Sequence, residues 1–279
     1  LPDTKFIYDD DGELSGFERE LETDSHKLIE NFMLLANEYI ATFLSKQTEH
    51  TLYRIHEKPE IDEINSIIDI LNKNGIKNIV RSTPHKTIQS ILKALGTNEN
   101  HRVFDRMVLR SMKKAKYFHK KVEHFGLAMQ SYTHFTSPIR RLCDLVIHHQ
   151  IKNIIEEKPQ FSFAGIKNWG EIASERELVA QETERAIEFV FKRRFMKDKI
   201  GEEYSAIVTG MNKAVIFVEL DKYPIRGVVR MAELKNDYYI YNEASMQMKG
   251  KRTGRKFKLG TKLNLVLSKV AEEIIFQIL

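Results

Sequence analysis

One cysteine, Cys143, among 279 residues excludes an intramolecular disulfide and suits a reducing compartment. No apolar run is long enough to span a bilayer, and no segment reads as a signal peptide, so a cytoplasmic protein without a membrane partner is expected. Internal repeats and low-complexity tracts are absent. An acidic excess is missing too: 44 Lys and Arg against 39 Asp and Glu leave a net charge of +5. With a sequence pI near 9.0, the balance leans toward a polyanionic partner. The length suggests two domains. The chain opens on Leu1 without an initiator Met, inside a predicted strand (Lys5–Tyr8) followed by a turn (Asp9–Gly12). That opening is expected of a piece of a larger protein.

What is present divides near residue 200. From about 23 onward the apolar spacing is helical. Thr23, Asp24 and Ser25 are caps for a helix whose apolar positions include Leu28, Ile29, Phe32, Met33, Leu35, Ala36, Ile40 and Leu44. Further helices are predicted over about 62–74, stopped by Gly75, and over 87–95, stopped by Gly96. The stretch 102–118 places Arg102, Arg106 and Arg110 on one helical face and then adds Lys113, Lys114 and Lys116. Two more helices follow, over 137–155 and from about 170 to 199. Beyond Gly201 the period becomes two, with strands at 204–210, 213–220, 225–231, 262–269 and 274–279. Five short strands predict a small closed barrel of the OB type. The expected class is therefore α+β, a helix-rich 1–200 followed by a five-stranded OB-type barrel over 201–279.

The most informative run is His134-Phe135-Thr136-Ser137-Pro138-Ile139-Arg140-Arg141. Thr136 or Ser137 is a natural N-cap, and Pro138 suits a first helical turn. Arginines are slightly unfavourable beside the partial positive charge of a helix start unless an anion sits nearby. Free N–H groups with two guanidinium forks make a phosphate cradle. The alternative is an ordinary surface helix with Arg140 paired to Asp144. Residues 249–258 hold six basic residues and no acid, and Tyr238, Tyr239 and Tyr241 precede them. A basic loop beside aromatics on such a barrel holds single strands, charge following the backbone and rings stacking on bases. The alternative there is a solvated hairpin loop with tyrosines plugging the barrel. His26, His148 and His149 form no metal spacing with any acid. Asp9, Asp10 and Asp11 read as turn residues.

The run HFGLAMQSYTHFTSPIRRLCD (124–144) resembles the signature of the RNB domain in the RNase II/RNase R family of 3′→5′ exoribonucleases. SHKLIENFMLLAN (25–37), YRIHE (53–57) and LRSMKKAKY (109–117) fit that family in the same order. From about 201 to 279 the chain resembles the family's S1 RNA-binding domain, including ELKNDYYIY (233–241) and KRTGRKFKLG (251–260). The RNase R branch is the closer match. The resemblance implies the C-terminal part of an RNB domain over 1–200 and an S1 domain over 201–279. It also implies hydrolysis of RNA from the 3′ end to nucleoside 5′-monophosphates. Mg²⁺ would be held by aspartates, two metals activating water and stabilising the leaving oxygen. Those aspartates fall in a segment that would precede Leu1, so no metal ligand is expected here, and the fragment alone is expected to be inactive. The implied partner is single-stranded RNA; no obligate protein partner is evident.

By motif position, Arg140 matches the family arginine that contacts the scissile phosphate. Arg141 is expected at an adjacent phosphate or an acidic neighbour. Tyr132 and His134 are candidates for lining the RNA channel, or are packed structural residues. Glu184 aligns with a position near the 3′-terminal nucleotide; otherwise it is a surface residue among Arg185 and Glu188. His124 reads as a satisfied buried histidine and Cys143 as packing. In the S1 part, the usual aromatic-Gly and second aromatic read Ala214, Val215 and Phe217, so one of two stacking platforms is absent. A histidine usual on the third strand is Arg230. This barrel is expected to lean on Lys213, Arg230, Lys251, Arg252 and Arg255, with Phe217 the remaining ring. Two other readings stand beside the enzyme. One is a non-catalytic RNA-binding protein that kept channel and barrel; the other is a ribosome-associated protein anchored by its basic barrel.

Overall fold

A computed structural model describes residues 3–96, 98, 100–234 and 237–279. Lys235 and Asn236 of the ELKNDYYIY segment lie outside the described residues. In chain order the elements are β1 (Thr4–Tyr8), β2 (Leu14–Arg19), α1 (Asp24–Gln47), β3 (Tyr53–Ile55), α2 (Ile61–Lys73), α3 (Pro84–Leu95) and α4 (His101–Ser111). Then come β4 (Lys116–Phe118), α5 (Leu142–Ile155), α6 (Phe163–Lys197), β5 (Glu203–Met211), β6 (Val215–Leu220) and β7 (Arg226–Arg230). The chain finishes with β8 (Tyr239–Asn242), β9 (Gln247–Gly250), β10 (Lys256–Lys258), β11 (Lys262–Val270) and β12 (Ile274–Ile278).

The chain packs as two units, neither contiguous in sequence. One combines the segment ending at Leu21 with Glu60–Ser111 and Ala186–Leu279; the other combines Glu22–Pro59 with Met112–Arg185.

In the first unit, β5, β6, β7, β12 and β11 close into a barrel, antiparallel except for the parallel β12–β7 pair. These are the five strands the period-two pattern predicts. Gly227 sits where β7 meets β12: a Cβ there would collide with the Ile274 carbonyl and the Phe276 ring. The core holds Ala206, Val208, Ile216, Val218, Leu265, Leu267 and Phe276, alternating along their strands. The basic loop takes the hairpin form of its alternative reading. It is the connection inside a separate antiparallel sheet, β8–β9–β10, because Met248 and Phe257 turn inward to the barrel core. Asp9 behaves as a turn residue: its Oδ1 accepts the N–H groups of Asp11 (3.1 Å) and Glu13 (2.8 Å). The strand that follows, β2, pairs with β1 although its apolar Leu14 and Phe17 do not alternate along it. Helix α4 ends at Ser111, so Lys113, Lys114 and Lys116 leave the arginine face.

Glu219 on β6 is the electrostatic hub of this unit. Its carboxylate accepts from Arg19 of β2 (3.2 Å), Arg106 of α4 (2.9 Å) and Arg226 of β7 (3.0 Å). Burial alone would raise its pKa; hydrogen bonds and charge from Arg106 and Arg226 overcome this and hold it at about 2. A folded carboxyl below its unfolded value stabilises the fold above the unfolded pKa, and that stability is lost as pH falls through the folded one. The barrel is therefore expected to lose on the order of 3 kcal/mol between about pH 4.5 and pH 2. Glu219→Gln removes that acid-sensitive part. Hydrogen exchange of β6 and β7 amides against pH checks this; an unchanged acid profile in Glu219→Gln would refute it.

The second unit is built on α1, α5 and the first two thirds of α6, with the short β3–β4 pair. Its core includes Leu44, Leu52, Tyr117, Cys143, Ile147 and Ile166. Cys143 is fully buried beside the Thr133 hydroxyl, a packing residue as expected. Thr23 caps α1, its Oγ1 accepting from the His26 N–H at 3.3 Å. The expected apolar face of α1 is core only at its C-terminal end, where Leu44 is buried and Ile40 packs against the core. Leu28, Ile29, Phe32, Met33 and Leu35 are exposed, Leu35 to 62%, while Asn37, Ala41 and Leu44 are buried. Only the C-terminal half of α1 meets the unit's core; no described residue of the unit buries the rest.

Candidate nucleic-acid interface

The run 131–144 is held from both sides before it reaches its arginines. Asn37, 3% exposed on α1, is the clamp: its Nδ2 donates to the Tyr132 hydroxyl and its Oδ1 accepts the Phe135 N–H, both at 2.9 Å. Thr133 Oγ1 donates to the Leu52 carbonyl at 2.6 Å. The His148 ring stacks on Phe135 (4.3 Å, 11°), and its Nε2 lies 2.9 Å from the Phe135 carbonyl oxygen. His134 Nδ1 and the Tyr117 hydroxyl are hydrogen-bonded at 2.8 Å. Tyr132 is buried and His134 half-buried, and both pack behind the arginine turn.

Helix α5 starts at Leu142, not at Pro138. The Ser137 carbonyl accepts the N–H groups of Arg140 (3.3 Å) and Arg141 (3.2 Å), closing a tight turn over 138–140. Arg141 is then extended (φ −122°, ψ 123°) and forms the cap. The reason is Asp144. Its Oδ1 takes the Ser137 N–H at 2.7 Å, and the two oxygens grip Arg141 through Nε (2.8 Å) and Nη2 (2.7 Å). Asp144 is wholly buried. A carboxylate in the first turn of α5 thus reaches back over the turn and consumes one arginine of the pair.

The neighbouring arginines consequently differ. Arg141 is committed to Asp144, the acidic-neighbour option of the two weighed for it. Arg140, expected in the alternative reading to pair with Asp144, is exposed, and its guanidinium has no hydrogen bond or ion pair among the described residues. Ile139 beside it is fully exposed, so it is not the first core position of a helix. An open apolar pocket of about 390 Å³ borders this turn, lined by Ile29, Phe32, Met33, Phe135, Thr136, Pro138 and His148.

Positive charge and burial shape the rest of this unit. Arg54 grips Glu177 with both terminal nitrogens (2.5 and 2.9 Å) and lies 4.7 Å over the Tyr117 ring. Burial, then the charges of Arg141 and Arg54, push His134 down to about 2. Burial and the nearby His56 push His124 down to about 4. Both imidazoles are neutral at physiological pH, and His124 Nδ1 accepts the Leu127 N–H, as a satisfied histidine should. Asn37, Arg54, Tyr117 and Glu177 were missed by sequence reasoning. Only Asn37 left a signal, as a polar residue on the otherwise apolar face of α1. Glu184 is exposed on α6 without a hydrogen bond or ion pair among the described residues, and Glu188 pairs with Lys192 rather than with it.

On the barrel, Phe217 is 41% exposed on the outer face of β6, opposite Gly210 and Val228. Lys213 is exposed in the β5–β6 turn. Arg230 is tied to Glu273 at 3.1 Å, with both side chains half exposed. The acid-free loop is folded around an acid from outside it. Asp237 accepts the N–H groups of Arg252 (2.8 Å) and Thr253 (2.7 Å), and the Thr253 hydroxyl, whose bond is the main cause of its lowered pKa. Arg255 lies 5.0 Å over Phe257, and Lys251 is exposed. Of the three tyrosines, Tyr239 and Tyr241 pack against the barrel core and Tyr238 is 73% exposed.

No three His, Cys, Asp or Glu side chains converge to hold a metal among the described residues. Asp9 is spent on its turn and Asp144 on Arg141, so neither of these two carboxylates is free to hold a Mg²⁺ pair. No helix among the described residues is long and apolar enough to cross a membrane.

Comparison with known proteins gives a consistent result. Residues 1–157 match the family described as RNB domain, and residues 197–276 match the S1 RNA binding domain. Ribonuclease R of Aquifex aeolicus (strain VF5) is 34% identical over 282 residues, covering 98% of this chain and 39% of that protein. The apo form of Mycoplasma genitalium RNase R superimposes with a TM-score of 0.91 at 23% identity, over 100% of this chain and 45% of that one. The same protein in complex with ribose methylated single-stranded RNA gives a TM-score of 0.89 at 24% identity, again covering 45% of that chain. The chain thus spans less than half the length of each of these relatives. Over more than half of its residues it matches the RNB model, and with the S1 match that follows, this chain belongs to the RNB family of ribonuclease R-like proteins.

Proposed function

We propose that this chain is the RNA-binding C-terminal portion of a processive 3′→5′ exoribonuclease, 1–200 from its RNB domain and 201–279 its S1 domain. The observation that carries this is the arginine turn: Arg140 is presented without a partner among the described residues, on a turn fixed by Asp144, Ser137 and Asn37. A guanidinium held in place and left free can meet the charge that develops on a phosphate oxygen without reorganising. Mg²⁺ would be bound by aspartates on sequence preceding the matched portion. The length of the relatives, of which this chain spans less than half, supports that placement. Tyr132 and His134 then support the channel wall, and Arg141 acts through the shape of the turn. Glu184 would face the 3′-terminal nucleotide. The lone cysteine favours a cytoplasmic setting.

The test is direct. Purified 1–279 is expected to bind single-stranded RNA yet release no nucleotide with Mg²⁺, whereas a chain extended through the upstream segment degrades RNA. Monophosphate release by 1–279 would overturn the metal-site placement. Binding is expected to come chiefly from charge. Neutralising Lys251, Arg252 and Arg255 together should flatten the slope of log affinity against log salt by roughly 2, at about 0.7 per phosphate contact. Phe217→Ala should weaken binding by about 1–3 kcal/mol at every salt concentration and leave the slope alone. A triple variant with the wild-type slope would remove the loop from the RNA path.

A further inference from the structure

The arginines around Glu219 hold more positive charge than one carboxylate neutralises, and they are not equally occupied. Arg19 is saturated: besides Glu219, it reaches the carbonyls of Asp221 and Leu220, each at 2.9 Å. Arg226 is not. It donates to Glu219 through Nε alone, and neither terminal nitrogen has a hydrogen bond among the described residues. Its side chain is 52% exposed. One helical turn beyond Arg106 on α4 stands Arg110, exposed, its guanidinium without a hydrogen bond or ion pair among the described residues. Desolvation, then the charge of Arg106, lower the pKa of Arg226 despite its bond to Glu219, and Arg110 adds to this. Cations crowded in this way are relieved by an anion.

The position of the crowd gives the anion its chemistry. Phe217 and Glu219 are two residues apart on β6 and point to the same outer face; across the ladder Phe217 meets Val228 and Glu219 meets Arg226. Two residues advance a strand by about 7 Å. A chain with one base on Phe217 therefore carries a neighbouring backbone group to Arg226. A guanidinium with both terminal nitrogens open matches two oxygens of a phosphate.

We propose that Arg226 of β7 and Arg110 of α4 form a phosphate-binding site for the backbone of single-stranded RNA, beside the stacking face of Phe217. The site is composite. Arg226 lies in the S1-matched segment and Arg110 in the RNB-matched segment, and both fold into the same packing unit. Glu219 keeps the arginines assembled when no phosphate is bound. The proposal rests on the reading of the barrel as an RNA-binding element.

The experiment is fluorescence anisotropy of the full 279-residue chain with a labelled single-stranded RNA oligonucleotide across a salt series. Arg110→Gln and Arg226→Gln are each expected to flatten the salt slope by roughly 0.7, and the double variant by roughly 1.4. Arg110 holds no bond in the Glu219 cluster, so Arg110→Gln should keep the wild-type melting temperature, and its result stands even if Arg226→Gln folds poorly. The site is overturned if Arg110→Gln keeps the wild-type slope while Phe217→Ala still weakens binding. If the unaltered chain fails to bind RNA, the reading of the barrel falls, and the site with it.

Discussion

Replacing Arg140 by alanine in an active ribonuclease that contains this chain is expected to lower turnover by roughly 10²–10³-fold, the usual effect of deleting one preorganised donor to a developing oxyanion. RNA affinity should change little, because under the proposed function the other phosphate contacts would still hold the strand. The expectation follows from the turn. Arg140 makes no ion pair among the described residues, while the Ser137 carbonyl and the Asp144 carboxylate fix the backbone that carries it. Arg140→Lys should recover only part of the rate, since an ammonium cannot reproduce a bidentate fork. Single-turnover kinetics beside equilibrium binding separate the two quantities. A parallel fall in affinity and turnover would make Arg140 a general binding residue.

Asp144→Ala is expected to cost about 3–5 kcal/mol, because it leaves the Arg141 guanidinium mostly buried with no counter-charge. It also orphans the Ser137 N–H. Asp144 is wholly buried and Arg141 only 19% exposed, so solvent screens the pair little. The lone tryptophan, Trp169, lies on α6 inside the same unit and reports its unfolding by fluorescence in a urea titration. Asp144→Asn keeps the volume and an acceptor for Ser137, so it should lose less. A loss under about 1 kcal/mol in Asp144→Ala, the ordinary worth of an exposed pair, would mean that this pair does not lock the turn.

The barrel was legible strand by strand because alternation is a local property: Ala206, Val208, Ile216 and Val218 face inward wherever the strands finally pair. The turn at Asp9 and the cap at Thr23 were equally legible, since each is satisfied within a few residues. The start of α5 was misplaced for the opposite reason. Pro138 and Ser137 have the chemistry of a helix start, but the Ser137 N–H is better satisfied by a carboxylate seven residues ahead. The apolar face of α1 had the right period but the expected surroundings only at Ile40 and Leu44, because periodicity states which residues share a face and not what lies against it.

The sequence alone determined the two families of segments, the barrel strands, the surplus of basic charge and the HFTSPIRR run that carries the RNB resemblance. Tertiary structure decided how those charges are used. Of two adjacent arginines, Arg141 is consumed by Asp144 while Arg140 has no partner among the described residues. Of three arginines in register on α4, Arg106 is bound to a carboxylate 113 residues away while Arg110 has no partner among the described residues. The physical reason is that an arginine's availability depends on which acid reaches it in space. Spacing along a helix fixes only the direction in which it points.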